Sequence, residues 1–344
     1  MIDAFVLLTP FLLLAVIAIF AFVGCSFHES GPDSATASPS AGPTTGGTAI
    51  TITGSGSDFT GNVVLKFGTP PADPIVNAPS VSIASKTTLS AVTPAYPLAK
   101  AVDANVSYTD SQGQAGSASA SFTYFPPVTH VQTVIGTAAG GPKITAPPLT
   151  LQGGELLIAS LQWAVPTGGS QATPTFTGAS FQPVPGGGPF SWNSMNVETF
   201  FAINSAAGQL NISATLPQAS PDECTLSVTA YDNADTTNPI YSPVESDPAY
   251  KGNNPQAPAI MANPGDMVYA VAYAANTGGT FPGTNPLSPG PGFTAESPVG
   301  GDPLVEDLSV TTPTVMSFVA QAKNTTTLAT PRSWILAMGI KAAG

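Results

Sequence analysis

The sequence predicts an all-β protein: one N-terminal hydrophobic helix, then a small β-sandwich, then a larger jelly-roll-like or duplicated β-sandwich. Three observations carry that reading. Residues 4–24 contain no charge, short runs of period-two alternation recur from Ala49 onward, and 36 prolines and 34 glycines punctuate 344 residues without a collagen period. A chain of this length can bury two or three cores.

Composition removes several classes of function. Only 8% of residues are Asp, Glu, Lys or Arg, against roughly 25% in an ordinary soluble domain, so Ser, Thr, Asn, Gln and backbone must carry solubility. A net charge of −12, with eight Lys plus Arg and no basic cluster, lacks the electrostatic footprint of a nucleic-acid binder. Two cysteines, Cys25 and Cys224, form neither a disulfide framework nor a metal quartet. Cys224 reads as a small buried hydrophobe.

The segment from Ala4 to Gly24 is 21 uncharged residues, enough at 1.5 Å per residue to cross a hydrocarbon core of about 30 Å. It is expected to meet a membrane, and Pro10 falls in its first turns, where a missing N–H costs least. Gly24-Cys25 after Phe22-Val23 resembles the lipobox of bacterial lipoproteins, which implies acylation of Cys25 as a new N-terminus. A retained transmembrane anchor and a plain cleaved signal remain open beside it, because Asp3 stands in the region before the apolar run and the first basic residue is Lys66. Each alternative places the rest of the chain on the extracellular side.

Residues 26–43 read as a Pro/Ser/Thr-rich linker. Ile50 and Ile52 then share one face of a strand while Thr51 and Thr53 share the other. The alternation returns at Val63, Leu65 and Phe67, at Ala104, Val106 and Tyr108, and at Ala120, Phe122 and Tyr124. Four strands in this length predict a small sandwich over residues 37–125. Ser38-Pro39-Ser40, Gly42-Pro43, Gly46-Gly47-Thr48, Phe59, Phe67-Gly68, Thr93-Pro94-Ala95 and Phe122-Thr123-Tyr124 resemble the pattern of the IPT/TIG immunoglobulin-like domain. The resemblance implies an Ig-like sandwich used as a spacer or interaction module on cell surfaces, with no catalytic residues.

Consecutive prolines at Pro126-Pro127 mark the boundary with residues 128–344. There the chain repeats itself, at about 150–240 and 262–344. Residues 153–169 align with 264–279 over Gly154/Gly265, Glu155/Asp266, Leu156/Met267, Leu157/Val268 and Ala159/Ala270. Downstream, Asn196–Ile203 is matched with Thr314–Ala322, and Thr225–Tyr231 with Ser333–Ile340. A period near 110 residues suits two halves of one large sandwich or two small sandwiches packed together. Gly154-Glu155-Leu156-Leu157, Pro291-Gly292-Phe293-Thr294, and Ala230-Tyr231 with Asp235 and Pro239 resemble a repeated β-sandwich family of bacterial and phage surface proteins, which implies a fold and an extracellular setting.

Chemistry is sparse along the chain. The two histidines, His28 and His130, sit in the anchor linker and at the domain boundary, and neither accompanies a G-x-S-x-G elbow, an HExxH run or a P-loop. Asp222/Glu223 and Asp302/Glu306/Asp307 could serve as paired carboxylates of a glycoside hydrolase, yet adjacent acids in Pro/Gly-rich loops are more often solvated turn residues. Calcium is the better-motivated ion: Asp232, Asn233 and Asp235 offer hard oxygen ligands on one loop, and Asp302, Glu306 and Asp307 on another. Against this, Asp and Asn commonly close Asx-turns. Phe190 and Trp192 in a Gly/Pro loop, with Asn193 and Asn196 beside them, have the composition of a glycan-binding loop.

The expected function is therefore a non-catalytic, envelope-anchored extracellular protein with a structural, display or interaction role. A subunit of a surface assembly or filament is one form of that role. Its partners would be the membrane, through the N-terminal segment or acylated Cys25, further copies of itself, and a surface glycan or protein. A glycan-binding adhesin is the alternative and a secreted hydrolase the remote one. No cofactor is expected, calcium aside.

Overall fold

The computed structural model describes residues 33–166, 172–192, 195–204, 206–245, 256–275, 287–297, 303–312, 314–319, 321–322 and 332–344. The hydrophobic segment and Cys25 lie outside the described residues. All the regular structure described is β.

The N-terminal sandwich is built from β1 (Asp33–Ser38), β2 (Ala41–Pro43), β3 (Ala49–Gly54), β4 (Val63–Phe67), β5 (Val76–Asn77), β6 (Ser80–Ser85), β7 (Thr88–Val92), β8 (Ala101–Thr109) and β9 (Ala115–Phe125). One face runs β5-β4-β8-β9 and the other β1-β3-β7-β6. Strand β1 joins them, pairing parallel with β9 at Asp33 and Ser34 and antiparallel with β3 from Ala35 to Ser38. Alternation fixes which side chains point inward, and Ile52, Phe67, Leu89 and Phe122 are fully buried. The ring of Phe122 meets those of Phe67 and Tyr124 edge-on, at 5.5 and 5.0 Å.

This revises the linker. Residues 33–43 are strands rather than spacer, because Asp33 is tied into the fold: its Oδ2 accepts from Tyr108 at 2.7 Å and from Ser57 at 3.3 Å. Small side chains disguise the alternation there, yet Ala35 and Ala37 pack against the core. Strands β6 and β7 also escape a reading that looks for large apolar residues, since β6 is largely exposed.

The middle sandwich comprises β10 (Thr129–Ala138), β11 (Gly141–Thr145), β12 (Leu149–Leu151), β13 (Leu156–Ala164), β14 (Thr175–Thr177), β15 (Gln182–Pro183), β16 (Phe190–Trp192), β17 (Met195–Ile203), β18 (Gly208–Leu210), β19 (Ser213–Ser220) and β20 (Cys224–Asp232). The C-terminal sandwich comprises β21 (Ile240–Glu245), β22 (Gln256–Ala262), β23 (Met267–Ala275), β24 (Leu287–Ser288), β25 (Thr294–Ala295), β26 (Leu304–Ser309), β27 (Thr314–Val319), β28 (Gln321–Ala322) and β29 (Arg332–Ile340).

Their main sheets trace one path twice, β10-β20-β13-β17-β15 in the middle sandwich and β21-β29-β23-β26-β25 in the C-terminal one. In that correspondence β20 answers β29, as the aligned residues 225–231 and 333–340 require. The strand that answers β17, however, is β26. Leu304–Ser309 therefore stands where the sequence comparison puts Thr314–Ala322, with Ile203 and Ser309 pairing with the aligned Leu156 and Met267.

Each main sheet is covered on its outer face by smaller ones, β11-β19-β14 and β12-β18 in the middle sandwich, β22-β27 and β24-β28 in the C-terminal one. The two main sheets then pack on each other. Leu156, Ile158 and Tyr231 from one meet Tyr269, Val271 and Leu336 from the other in a shared core. Strand β13 is consequently buried along its whole length, which is why it reads as a mostly apolar run, broken by Ser160 and Gln162, instead of alternating with a solvent face. On β20 the alternation persists, but its hydroxyl side, Thr225, Ser227 and Thr229, faces the second sheet and is buried as well. Tyr273 reaches across to donate to Ser160 Oγ at 3.0 Å.

The N-terminal sandwich abuts this stack at Gly265. That residue has φ +91°, and a Cβ there would lie 2.8 Å from Pro43 and 3.0 Å from Phe125, so glycine serves both the turn and the close approach. Val128 N–H donates to Gly265 C=O at 2.8 Å, pinning the linker against the C-terminal sandwich.

Candidate functional site

Beside that junction three ionisable side chains from three separate elements converge. His130 comes from the first residues of β10, Glu296 from the loop leaving β25, and Asp307 from β26. One potential ligand atom of each lies within 4.8 Å of the other two. His130 Nδ1 stands 2.9 Å from Glu296 Oε2. Asp307 is 4% exposed, while His130 and Glu296 keep partial access to water.

Neighbouring groups hold these side chains in place. His130 Nε2 lies 2.9 Å from Thr133 Oγ1, and Thr133 donates its own proton to Thr229 Oγ1 at 3.0 Å. Thr133 must therefore accept from His130 Nε2–H, which leaves Nδ1 facing the Glu296 carboxylate. Tyr231, buried in the shared core, donates to Asp307 Oδ2 at 3.2 Å. Burial, reinforced by the negative Glu296, lifts the Asp307 carboxyl to about 7. Burial pushes the His130 ring below its ordinary value, with Glu296 opposing it.

The position of this cluster follows from β geometry. Asp307 and Glu306 are consecutive on β26, so they point to opposite faces. Asp307 enters the side shared with the middle sandwich, and Glu306 enters the outer core of the C-terminal sandwich, where its Oε2 accepts from Gly290 N–H at 2.7 Å. Burial raises Glu306 to about 7. The two cannot ligate one ion, which dismantles the calcium set Asp302, Glu306 and Asp307; Asp302 lies outside the described residues.

The other calcium set is committed to turns. Asp235 Oδ1 accepts from the backbone of Thr237 and Asn238, and its Oδ2 from Lys341 at 2.6 Å, the lysine above all holding its carboxyl low. Asp232 accepts from Asn233 N–H, and the Asn233 amide donates to Pro127 C=O. These are Asx-type closures and a domain-boundary tie.

The aromatic loop is likewise folded inward where it is described. Phe190 lies against Trp334 at 5.1 Å, and Asn196 is 1% exposed, with its Oδ1 accepting from Ser191 at 2.6 Å. Neither is presented to a surface sugar. Asn193 and the side chain of Trp192 lie outside the described residues. Cys224 is buried, its thiol against Ala138 C=O.

Residues 33–124 match the sequence profile described as the IPT/TIG domain, over the same β1–β9 sandwich whose two faces are joined by β1. That stretch is a TIG domain. No curated protein matches the chain. Among solved structures, a tetra-tandem repeat from the extending region of a large adhesion protein is 11% identical over 84% of this chain, with TM-score 0.21. The chain spans 66% of that structure, just under two thirds. A structure of carbohydrate-binding modules from the β-sandwich superfamily is 12% identical, with 59% of this chain and 92% of that one covered, at TM-score 0.18. The TIG domain therefore accounts for the N-terminal sandwich, and the His130 cluster begins six residues beyond it.

Proposed function

We propose that the chain is a non-catalytic structural and display protein of the extracellular face of the cell envelope, carried there by its N-terminal hydrophobic segment or by an acylated Cys25. The observation that carries this reading is the shared core. Because the main sheets of the middle and C-terminal sandwiches bury each other, the region beyond the TIG domain is a single thick block, and the TIG domain is seated on its edge at Gly265. Such a block transmits position and force, and a TIG domain is a spacer or interaction module. Sparse surface charge, at 8% Asp, Glu, Lys and Arg in the whole chain, favours close lateral packing of copies in a surface assembly.

Intact mass of the protein purified from its native membrane tests the anchoring. A chain lacking residues 1–24 with acyl mass on Cys25, or a chain retaining them, fits the proposal and decides between the two anchors. An unacylated chain lacking the segment and recovered from the medium contradicts it.

A further inference from the structure

We propose that His130, Glu296 and Asp307 form a binding site for one divalent transition metal of the zinc class, which clamps the edge of the middle sandwich to the C-terminal sandwich beside the TIG junction. The three ligand atoms come from three elements and already lie within 4.8 Å of one another. Zinc holds nitrogen and carboxylate ligands at about 2.0 to 2.2 Å, so small side-chain adjustments close the set on one ion.

The local charge gives a second reason for a cation. The Thr133 to Thr229 hydrogen bond places a proton on His130 Nε2. His130 Nδ1 faces Glu296 Oε2 at 2.9 Å with Asp307 alongside, so two carboxyl groups meet a single imidazole. Among the described residues no lysine or arginine forms an ion pair with Glu296 or Asp307. A metal ion satisfies all three at once.

The surroundings match a metal site in a second respect. A metal-ligating imidazole ordinarily donates its other N–H to a fixed acceptor, and ligating carboxylates are themselves hydrogen-bonded. Thr133 supplies the first feature and Tyr231 the second. The donor set also selects the metal: calcium and magnesium favour all-oxygen shells of six or more ligands, whereas an imidazole with two carboxylates suits zinc. Partial exposure of His130 and Glu296 leaves room for water in the fourth position. The consequence is mechanical. His130 is two residues past Val128, so the ion would lock the chain leaving the TIG domain to both sandwiches.

The test uses the full chain in detergent, stripped with chelator and then titrated separately with zinc chloride and calcium chloride. One zinc per chain is expected after gel filtration, with a rise in melting temperature that calcium does not reproduce. Glu296→Gln and His130→Ala should each weaken zinc binding by about 100-fold or more and remove the rise. Melting of both variants in chelator alongside the wild type separates loss of the site from loss of the fold. Zinc that fails to bind stoichiometrically, binds both folded variants as it binds the wild type, or is matched by calcium in raising the melting temperature would overturn the proposal.

Discussion

Replacing Glu198 with glutamine should stabilise the middle sandwich above neutral pH and leave it nearly unchanged in mild acid. Glu198 lies in β17 opposite Leu161, is 2% exposed, and has an Oε2 without a hydrogen-bond partner. Burial alone lifts its carboxyl from the ordinary 4.5 to about 7. The folded state thus holds this proton more tightly than the unfolded chain, and stability associated with it is complete below about pH 4.5 and lost as pH rises through 7. At 1.36 kcal/mol per pH unit between those values, the charged form costs about 3 kcal/mol at pH 8. Glutamine keeps the shape and stays neutral, so the penalty disappears. For a block of this size that amounts to a rise of about 6 to 12 °C in melting temperature at pH 8. Any cost of an unsatisfied amide N–H is common to both pH values and cancels in the difference. Calorimetry of wild type and Glu198→Gln from pH 5 to 8 reads it directly. A difference between the two proteins that does not change with pH would refute the reasoning.

Other expectations follow from packing. Ile158→Ala and Leu336→Ala remove fully buried side chains from opposite walls of the shared core; each should cost about 2 to 5 kcal/mol and lower the same calorimetric transition, whereas two separately shifted transitions would show that the sandwiches melt independently. Gly265→Ala forces a side chain into a left-handed turn and against Pro43 and Phe125. It should destabilise by about 1 to 3 kcal/mol and increase proteolysis at the Pro126-Pro127 boundary. Asp33→Ala removes the acceptor of Tyr108 and Ser57, and a loss of about 1 to 3 kcal/mol in urea unfolding is expected; no change would show β1 to be dispensable.

What could be read from the sequence divides along physical lines. Alternation in β3, β4, β8 and β9 is legible because each strand has one buried and one wetter face, so Ile52 and Phe122 announce themselves. Strand β1 is hidden, since Ala35 and Ala37 are small and its stability comes from the long-range Asp33 to Tyr108 hydrogen bond. The apolar runs of β13 and β29 are visible, but that they bury each other's sheets depends on the tertiary arrangement. Thr225, Ser227 and Thr229 look like a solvent face and are instead buried against the C-terminal sheet.

The candidate site shows the same limit. Asp307 is picked out beside Glu306 by proximity in sequence, while strand geometry separates the two and joins Asp307 to His130 and Glu296, 177 and 11 residues away in the chain. A histidine three residues after a double proline, at a domain boundary, is the one local signal that could have pointed there. Nothing local links it to Glu296. The Phe190 loop fails for the converse reason: Gly and Pro around an aromatic describe a loop, not which way the ring turns, and here it turns onto Trp334.

The central claim, display of the TIG domain and the sandwich block outside the cell, is tested most directly by labelling intact cells with a membrane-impermeant amine reagent and mapping the modified lysines. Lys66, Lys86 and Lys143 are exposed. The account predicts their modification on unbroken cells, together, with cytoplasmic control proteins unmodified. Protection of all three until the cells are lysed and the envelope opened would contradict it.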